Sequence, residues 1–452
     1  MRLRDNIICV VCIVAAVALL AGASARLDSI HSSRQQMGLV SNAPLENAPP
    51  SLAFATVAMG AFRGLVVDIL WMRADKLKEQ GLFFDAKQLA EWITTLQPRF
   101  SGVWDFQAWN MAYNISVAMP ASQWYERWKW VRNGYELLRD RGIEQNPHSI
   151  VLYRALAWIF QHKIADISDD CHKHYKRQLA LEMRPLLGPQ TREYFLAMID
   201  APKKLSEIEK EPAVAKFIAE LKSADEAFED DKAFVRNYLA LRQMPKQFAP
   251  AAFETIDRFR TDEALKKFDV FARACFLRDV WKLEPEFMHK LNEQYGPLNP
   301  DDPNEHMPLN WEHPDPHAIY WAKLGLERAR TKSQKGEYSV DEKNTDRLVF
   351  HSLQNLYRAG KLIIYPVPGE LPSVFLRPDL QMFDSCNEAC KYNIAKYKAI
   401  EGSNPKTLMA GHRNMLKNAV LLFYQAGRIK KAGQIYTELR ELYAPQDAKV
   451  DI

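Results

Sequence analysis

Between His162 and His174 the chain collects the residue types that hold metal ions. The stretch "HKIADISDDCHKH" carries His162, Asp166, Asp169, Asp170, Cys171, His172 and His174. Imidazole, thiolate and carboxylate are the usual protein ligands for zinc and other transition metals. The spacing argues against a shared site. Two residues two apart on a helix point about 200° away from each other, so His172 and His174 would diverge. Asp169 or Asp170 also suits the N-cap of the helix that follows. His162, Asp170, His172 and His174 are therefore weak metal candidates, and no bound metal is expected. His313 and His317 have the four-residue spacing of helical metal pairs, but Pro314 and Pro316 between them exclude a common helix face.

Aromatic residues form the second constellation. "WDFQAW" and "WYERWKW" place Trp104, Trp109, Trp124, Trp128 and Trp130 within 27 positions. Such a set stacks a sugar or grips a peptide when exposed, and fills a core when buried. Trp109, Trp124, Trp128 and Trp130 are the candidate ligand contacts. No glycine-rich phosphate loop, G-x-S-x-G elbow or H-E-x-x-H motif occurs. With no visible convergence of nucleophile, base and orienting group, neither a catalytic residue nor a cofactor is expected, and the chain reads as a non-enzyme.

The elements that must position these residues read as helices. The 452 residues are 47% hydrophobic and 26% charged, and only 18 are glycine. Few β-branched runs and long Ala/Leu/Glu/Lys/Arg stretches point to an all-α protein. A net charge of +4 gives no basic stripe for nucleic acid. Cys9 and Cys12 lie in an apolar N-terminal run with no second pair to complete a zinc ribbon. Cys386 and Cys390 stand four apart, spaced to share one side of a helix, to bridge in an oxidising compartment, or to serve as two small apolar residues.

The N-terminus reads as an address. Arg2 and Arg4 precede a run from Ile7 to Ala25 that is uncharged and largely apolar. At about 1.5 Å per residue it is just long enough to span a thin bilayer. Ala23-Ser24-Ala25 also fits a signal-peptide cleavage site. Either way the two arginines keep the N-terminus cytoplasmic and send the body to the export side. The expectation is a single-pass anchor, or a secreted body if the segment is cleaved. A second apolar run, Ser51 to Met72, is interrupted by Arg63 and Asp68 and reads as a buried helix with a break near Gly64.

Recurrent spacings fix the architecture. In "GLFFDAKQLAEWITTLQP" a glycine turns the chain, Phe83 and Ala86 open a helix, and Pro98 closes it; Ala74 sits at the small position of the helix before. Trp104 lies six residues after Pro98, with Ala108 four further on. Tyr153 lies six after Pro147, with Ala157 four further on. Trp321, Leu324 and Gly325 stand at W-x-x-L-G spacing, and Phe423, Gly427, Ala432, Tyr436 and Pro445 follow near the C-terminus. Small residues at fixed positions let antiparallel helices approach, while aromatics fill the groove to the next pair.

Over residues 65–186 and 317–446 these motifs resemble tetratricopeptide repeats, with Gly81 at the turn between helices. The chain also looks like a group of membrane-anchored bacterial repeat proteins carrying "FRG…LWMRAD…LQP", a resemblance that implies no chemistry. It implies an α-solenoid of helical hairpins behind one N-terminal transmembrane helix.

The expected organisation is a cytoplasmic tail (1–6), anchor or signal peptide (7–25), proline-containing tether (26–50) and N-terminal repeat-like block (51–200). A charged helical segment (201–296), a proline-rich bridge (297–316) and a C-terminal repeat-like block (317–452) follow. Asp315 is expected to cap the helix after the bridge, with Pro316 at its first position. The expected function is a membrane-tethered protein-binding scaffold or assembly factor that holds a protein or peptide segment near the membrane. The alternatives are carbohydrate or envelope-polymer binding through the tryptophans, and a metal-dependent enzyme built on His162–His174.

Overall fold

A computed structural model describes residues 62–447 apart from 300, 303–304, 331–339, 370 and 400–404, with scattered positions between 14 and 33. The chain divides into two units, Met1–Val67 and Asp68–Ile452. The expected tail and tether lie largely or wholly outside the described residues, as does most of the 7–25 run. Among those described, no helix is long and apolar enough to cross a membrane.

The protein is helical. Helix α1 (Phe62–Glu79) passes through Gly64 without a break and leaves Ile69 and Met72 exposed, whereas the sequence suggested a break and burial. After Gly81, whose φ of +75° suits glycine, α2 (Phe83–Leu96) buries Ala86, Leu89, Ala90 and Ile93 at helical spacing. Helix α3 (Ser101–Trp109), α4 (Trp124–Glu136) and α5 (Ile150–Trp158) each run on into a π-helical segment. These are π1 (Asn110–Ile115), π2 (Leu137–Gly142) and π3 (Ile159–Ala165). Ala74, Trp104, Ala108, Tyr153 and Ala157 are buried, and Phe83 and Pro98 half-buried.

Helices α6 (His172–Leu187), α7 (Arg192–Asp200), α8 (Pro212–Ala224), α9 (Asp231–Gln243), α10 (Pro250–Arg258), α11 (Glu263–Phe276) and α12 (Pro285–Tyr295) follow. Within 201–296, α8 packs on α10 and α11, and α9 on α11; α11 also meets α6 and α7. Phe217, Phe234, Tyr238 and Phe268 fill the centre of this bundle through edge-on ring contacts.

The chain then returns to its first part. Helix α13 (Pro314–Arg330) packs along α5, and α14 (Val340–Ala359) packs on both. The close approach is set by Gly325: a Cβ there would lie 2.4 Å from Cβ of Tyr153. Trp321 is buried and Leu324 half-buried on the same helix. Asp315 is not the cap. The helix starts at Pro314, and the backbone N–H of Asp315 donates to Nδ1 of His313 at 3.2 Å. Two prolines fit because both stand in the first turn, where no intrahelical partner for an N–H is lost.

Strands β1 (Lys361–Tyr365) and β2 (Ser373–Arg377) form an antiparallel hairpin with Lys361 opposite Arg377 and Tyr365 opposite Ser373. The proline-containing stretch from Pro366 to Pro372 is its connection. Helices α15 (Phe383–Lys398), α16 (Lys406–Gln425) and α17 (Ile429–Asp447) close the chain, each packed on the one before it. Gly427 turns α16 into α17 at φ +73°. Ala432 is buried there and Tyr436 exposed.

Candidate functional site

A cavity of about 490 Å³ opens between α3, α5 and α14. Asp105, Trp109, Arg154, Trp158, Arg347 and His351 are among its lining residues, with Asn344 beside them. Helical spacing explains who lines it. On α5, Tyr153, Leu156 and Ala157 are buried, so Val151, Arg154, Ala155 and Trp158 occupy another face of the same helix.

The charges are unevenly committed. Arg154 pairs with the Asp341 carboxylate at the rim. Arg347 has no hydrogen-bond or ion-pair partner among the described residues. Burial raises the Asp105 carboxyl above its ordinary value, with the charge of Arg154 pulling the other way. Burial, together with the charge of Arg347, lowers the His351 imidazole.

Below the cavity runs a ladder of rings. Trp109 stacks on Tyr113 with centroids 4.1 Å apart, and the Tyr113 hydroxyl lies 3.3 Å from Nδ1 of His162. His162 stacks on Trp158 at 4.6 Å. In each pair the tryptophan is the last α-helical residue and its partner stands in the π segment that follows. Such π segments occur often at functional sites. Trp109 remains 42% exposed, which leaves its indole open to a ligand.

The weak metal candidates His162, Asp170, His172 and His174 do not converge on one site. His162 belongs to the ladder. His172 lies 3.0 Å from Nζ of Lys176; burial and that ammonium push it down to about 4. His174 accepts from Arg177 at 2.9 Å and stacks on Trp124. Asp169, Asp170 and Cys171 do offer atoms within 4.8 Å of one another. Two cations already occupy that cluster. Asp169 accepts from Lys163 Nζ at 2.5 Å and from the Cys171 amide at 2.8 Å. Arg127 donates to Asp170 at 2.7 Å and lies 3.4 Å from Asp169. Burial favours a protonated Asp169, but Lys163 and these donors outweigh it and hold the carboxyl below its usual range.

The tryptophans are dispersed as well. Trp104 and Trp128 are buried, and Trp130 meets Phe84 edge-on. Of the four candidate ligand contacts, only Trp109 lines the cavity; Trp158, which the sequence did not single out, joins it.

A second polar cluster lies buried where α6 meets the start of α13. Lys176, His313, Asp315 and His317 are each at most 2% exposed. His317 bonds to the Trp311 carbonyl through Nε2 at 3.0 Å. Asp315 accepts from Asn355 at 3.3 Å; burial pushes its carboxyl up to about 7.

No protein-family model matches the chain, and a comparison with curated proteins returned no match.

Proposed function

We propose that this protein is a membrane-tethered, tetratricopeptide-like scaffold or assembly factor that acts on the export side of the membrane and binds a segment of another protein. The observation that carries the reading is the cavity between α3, α5 and α14, where the two repeat-like blocks meet. Its arginines, Asn344 and two indoles are the side chains that grip an extended peptide: guanidinium groups take a carboxylate and indoles take apolar side chains. In this reading α2, α3, α5, α13 and α14 form one stack of repeat-like hairpins, and residues 192–296 are a lateral insertion. The uncommitted Arg347 and exposed Trp109 favour a segment that carries both an acidic and an apolar residue.

The test is affinity purification of the full-length protein from gently solubilised native membranes. Wild type is compared with an Arg347→Glu, Trp109→Ala variant. A stoichiometric protein partner that is retained by wild type and lost from the variant supports the reading. Equal recovery by both, or none by either after cross-linking, overturns it.

A further inference from the structure

We propose that Cys386, Cys390 and Met415 form a three-sulfur site for a soft monovalent metal ion, copper(I). The two cysteines lie four apart on α15 and so face the same way. Helix α16 packs against that face and brings Met415 to it. The Cys386 Sγ lies 3.4 Å and the Cys390 Sγ 3.9 Å from the Met415 Sδ. Both thiols thus meet the one thioether. All three residues are buried, at 0, 3 and 0% exposure, and neither cysteine is in a disulfide.

The geometry fits a trigonal ion. With metal–sulfur bonds of about 2.3 Å, three sulfurs around one ion stand ~4.0 Å apart. The two edges to Met415, 3.4 and 3.9 Å, are shorter than that or close to it, so seating an ion requires Cys386 and Met415 to spread by about 0.6 Å. Thiolate and thioether donors select soft ions, copper(I) foremost. Zinc wants a fourth ligand, and the nearest imidazole on α16 is committed. His412 bonds to the Tyr443 hydroxyl at 2.8 Å through Nδ1 and to the side-chain Oδ1 of Asn387 at 2.6 Å through Nε2.

The balance is simple. One copper(I) enters, both thiol protons leave to solvent, and the centre carries one net negative charge. Burial, then the neighbouring Cys386, holds the Cys390 thiol above its ordinary value, while Lys391 acts in the opposite direction. Uptake is therefore coupled to proton release.

The experiment uses the full chain with Cys9→Ser and Cys12→Ser as the parent, titrated anaerobically with copper(I) in competition with bicinchoninate. The expected result is one tightly held copper per chain, lost in Cys386→Ser and Cys390→Ser and weakened tenfold or more in Met415→Leu. X-ray absorption of the loaded parent should show sulfur neighbours alone. If the serine variants fail to fold, the Met415→Leu titration and the absorption spectrum decide. No uptake by the folded parent, uptake unchanged by the substitutions, or nitrogen and oxygen neighbours would overturn the site and leave an apolar sulfur cluster of the core.

Discussion

The indole Nε1 of Trp104 donates to the carbonyl of Pro98 at 2.7 Å, six residues upstream. The Tyr153 hydroxyl repeats the arrangement, donating to the Pro147 carbonyl at 3.1 Å. In both cases the aromatic residue stands one turn into a helix and ties back the chain that enters it. The two clamps are joined, because the Asn146 side chain also donates to Pro98, at 2.9 Å. Tyr153 carries a further load. Its hydroxyl accepts from Arg328 on α13 at 2.6 Å.

Trp104→Phe and Tyr153→Phe should therefore differ. In Trp104→Phe the Pro98 carbonyl keeps Asn146, so the hydrogen-bond loss should be about 1 kcal/mol, and the space left by the buried indole adds to it. Tyr153→Phe removes one neutral and one charge-assisted bond, and should cost about 2–3 kcal/mol. Urea unfolding checks this: both variants should shift the midpoint with the slope unchanged. A loss in Tyr153→Phe of no more than about 1 kcal/mol would mean that the bond to α13 contributes nothing.

These clamps are the part of the fold most legible in the sequence, because a six-residue spacing between proline and an aromatic is a local device. Gly325 was legible for the same reason: a small residue in a W-x-x-L-G frame announces a close helix approach, though not that Tyr153 stands opposite. The return of α13 to α5 was not legible, since about 160 residues intervene. Nor was the hairpin. Its strands "KLIIY" and "SVFLR" are only five residues each, too short for an alternating pattern to stand out, and flank a proline-containing stretch. Arg154, Trp158 and Arg347 of the cavity were not legible, because they stand on helix faces that carry no repeat signature.

Lys163, Asp169, Arg127 and Asp170 form an ion pair network, and its two carboxylates should respond differently to neutralisation. Asp169→Asn leaves Lys163, 3% exposed, without its counter-charge and should cost about 3–5 kcal/mol. Asp170, with a side chain 65% exposed, should cost about 1 kcal/mol or less on conversion to Asn. Differential scanning calorimetry of the copper-free protein, with and without a chelator, tests both points, and the chelator should leave the Tm unchanged. A Tm drop on chelation that persists in Cys386→Ser and is lost in Asp169→Asn would restore a metal at this cluster.

Stability should fall on acidification through the buried histidines. Burial lowers His313 to about 3 and His317 to about 4, from an ordinary 6.5. A depressed group contributes stability above its unfolded value that is lost as pH falls toward the folded one. The window is pH 6.5 down to about 3. Asp315, raised to about 7, acts in the opposite sense and loses stability as pH rises from about 4 to 7. In His313→Asn the side-chain oxygen can accept the Asp315 amide in place of Nδ1 and does not titrate, so stability should decline less between pH 6 and 4. Unfolding midpoints across that range decide it, and parallel declines would assign the acid loss elsewhere.

The central claim is that the cavity between α3, α5 and α14 receives a segment of another protein. The most direct measurement places a photoactivatable amino acid at Asn344 or Val151, within the cavity, in the full-length protein in its native membranes. An exposed position far from the cavity, such as Arg260, serves as control. The account predicts one dominant cross-linked protein from the cavity positions, mapped to a single segment and absent from the control. The same products from all three positions, or none from the cavity, would contradict it.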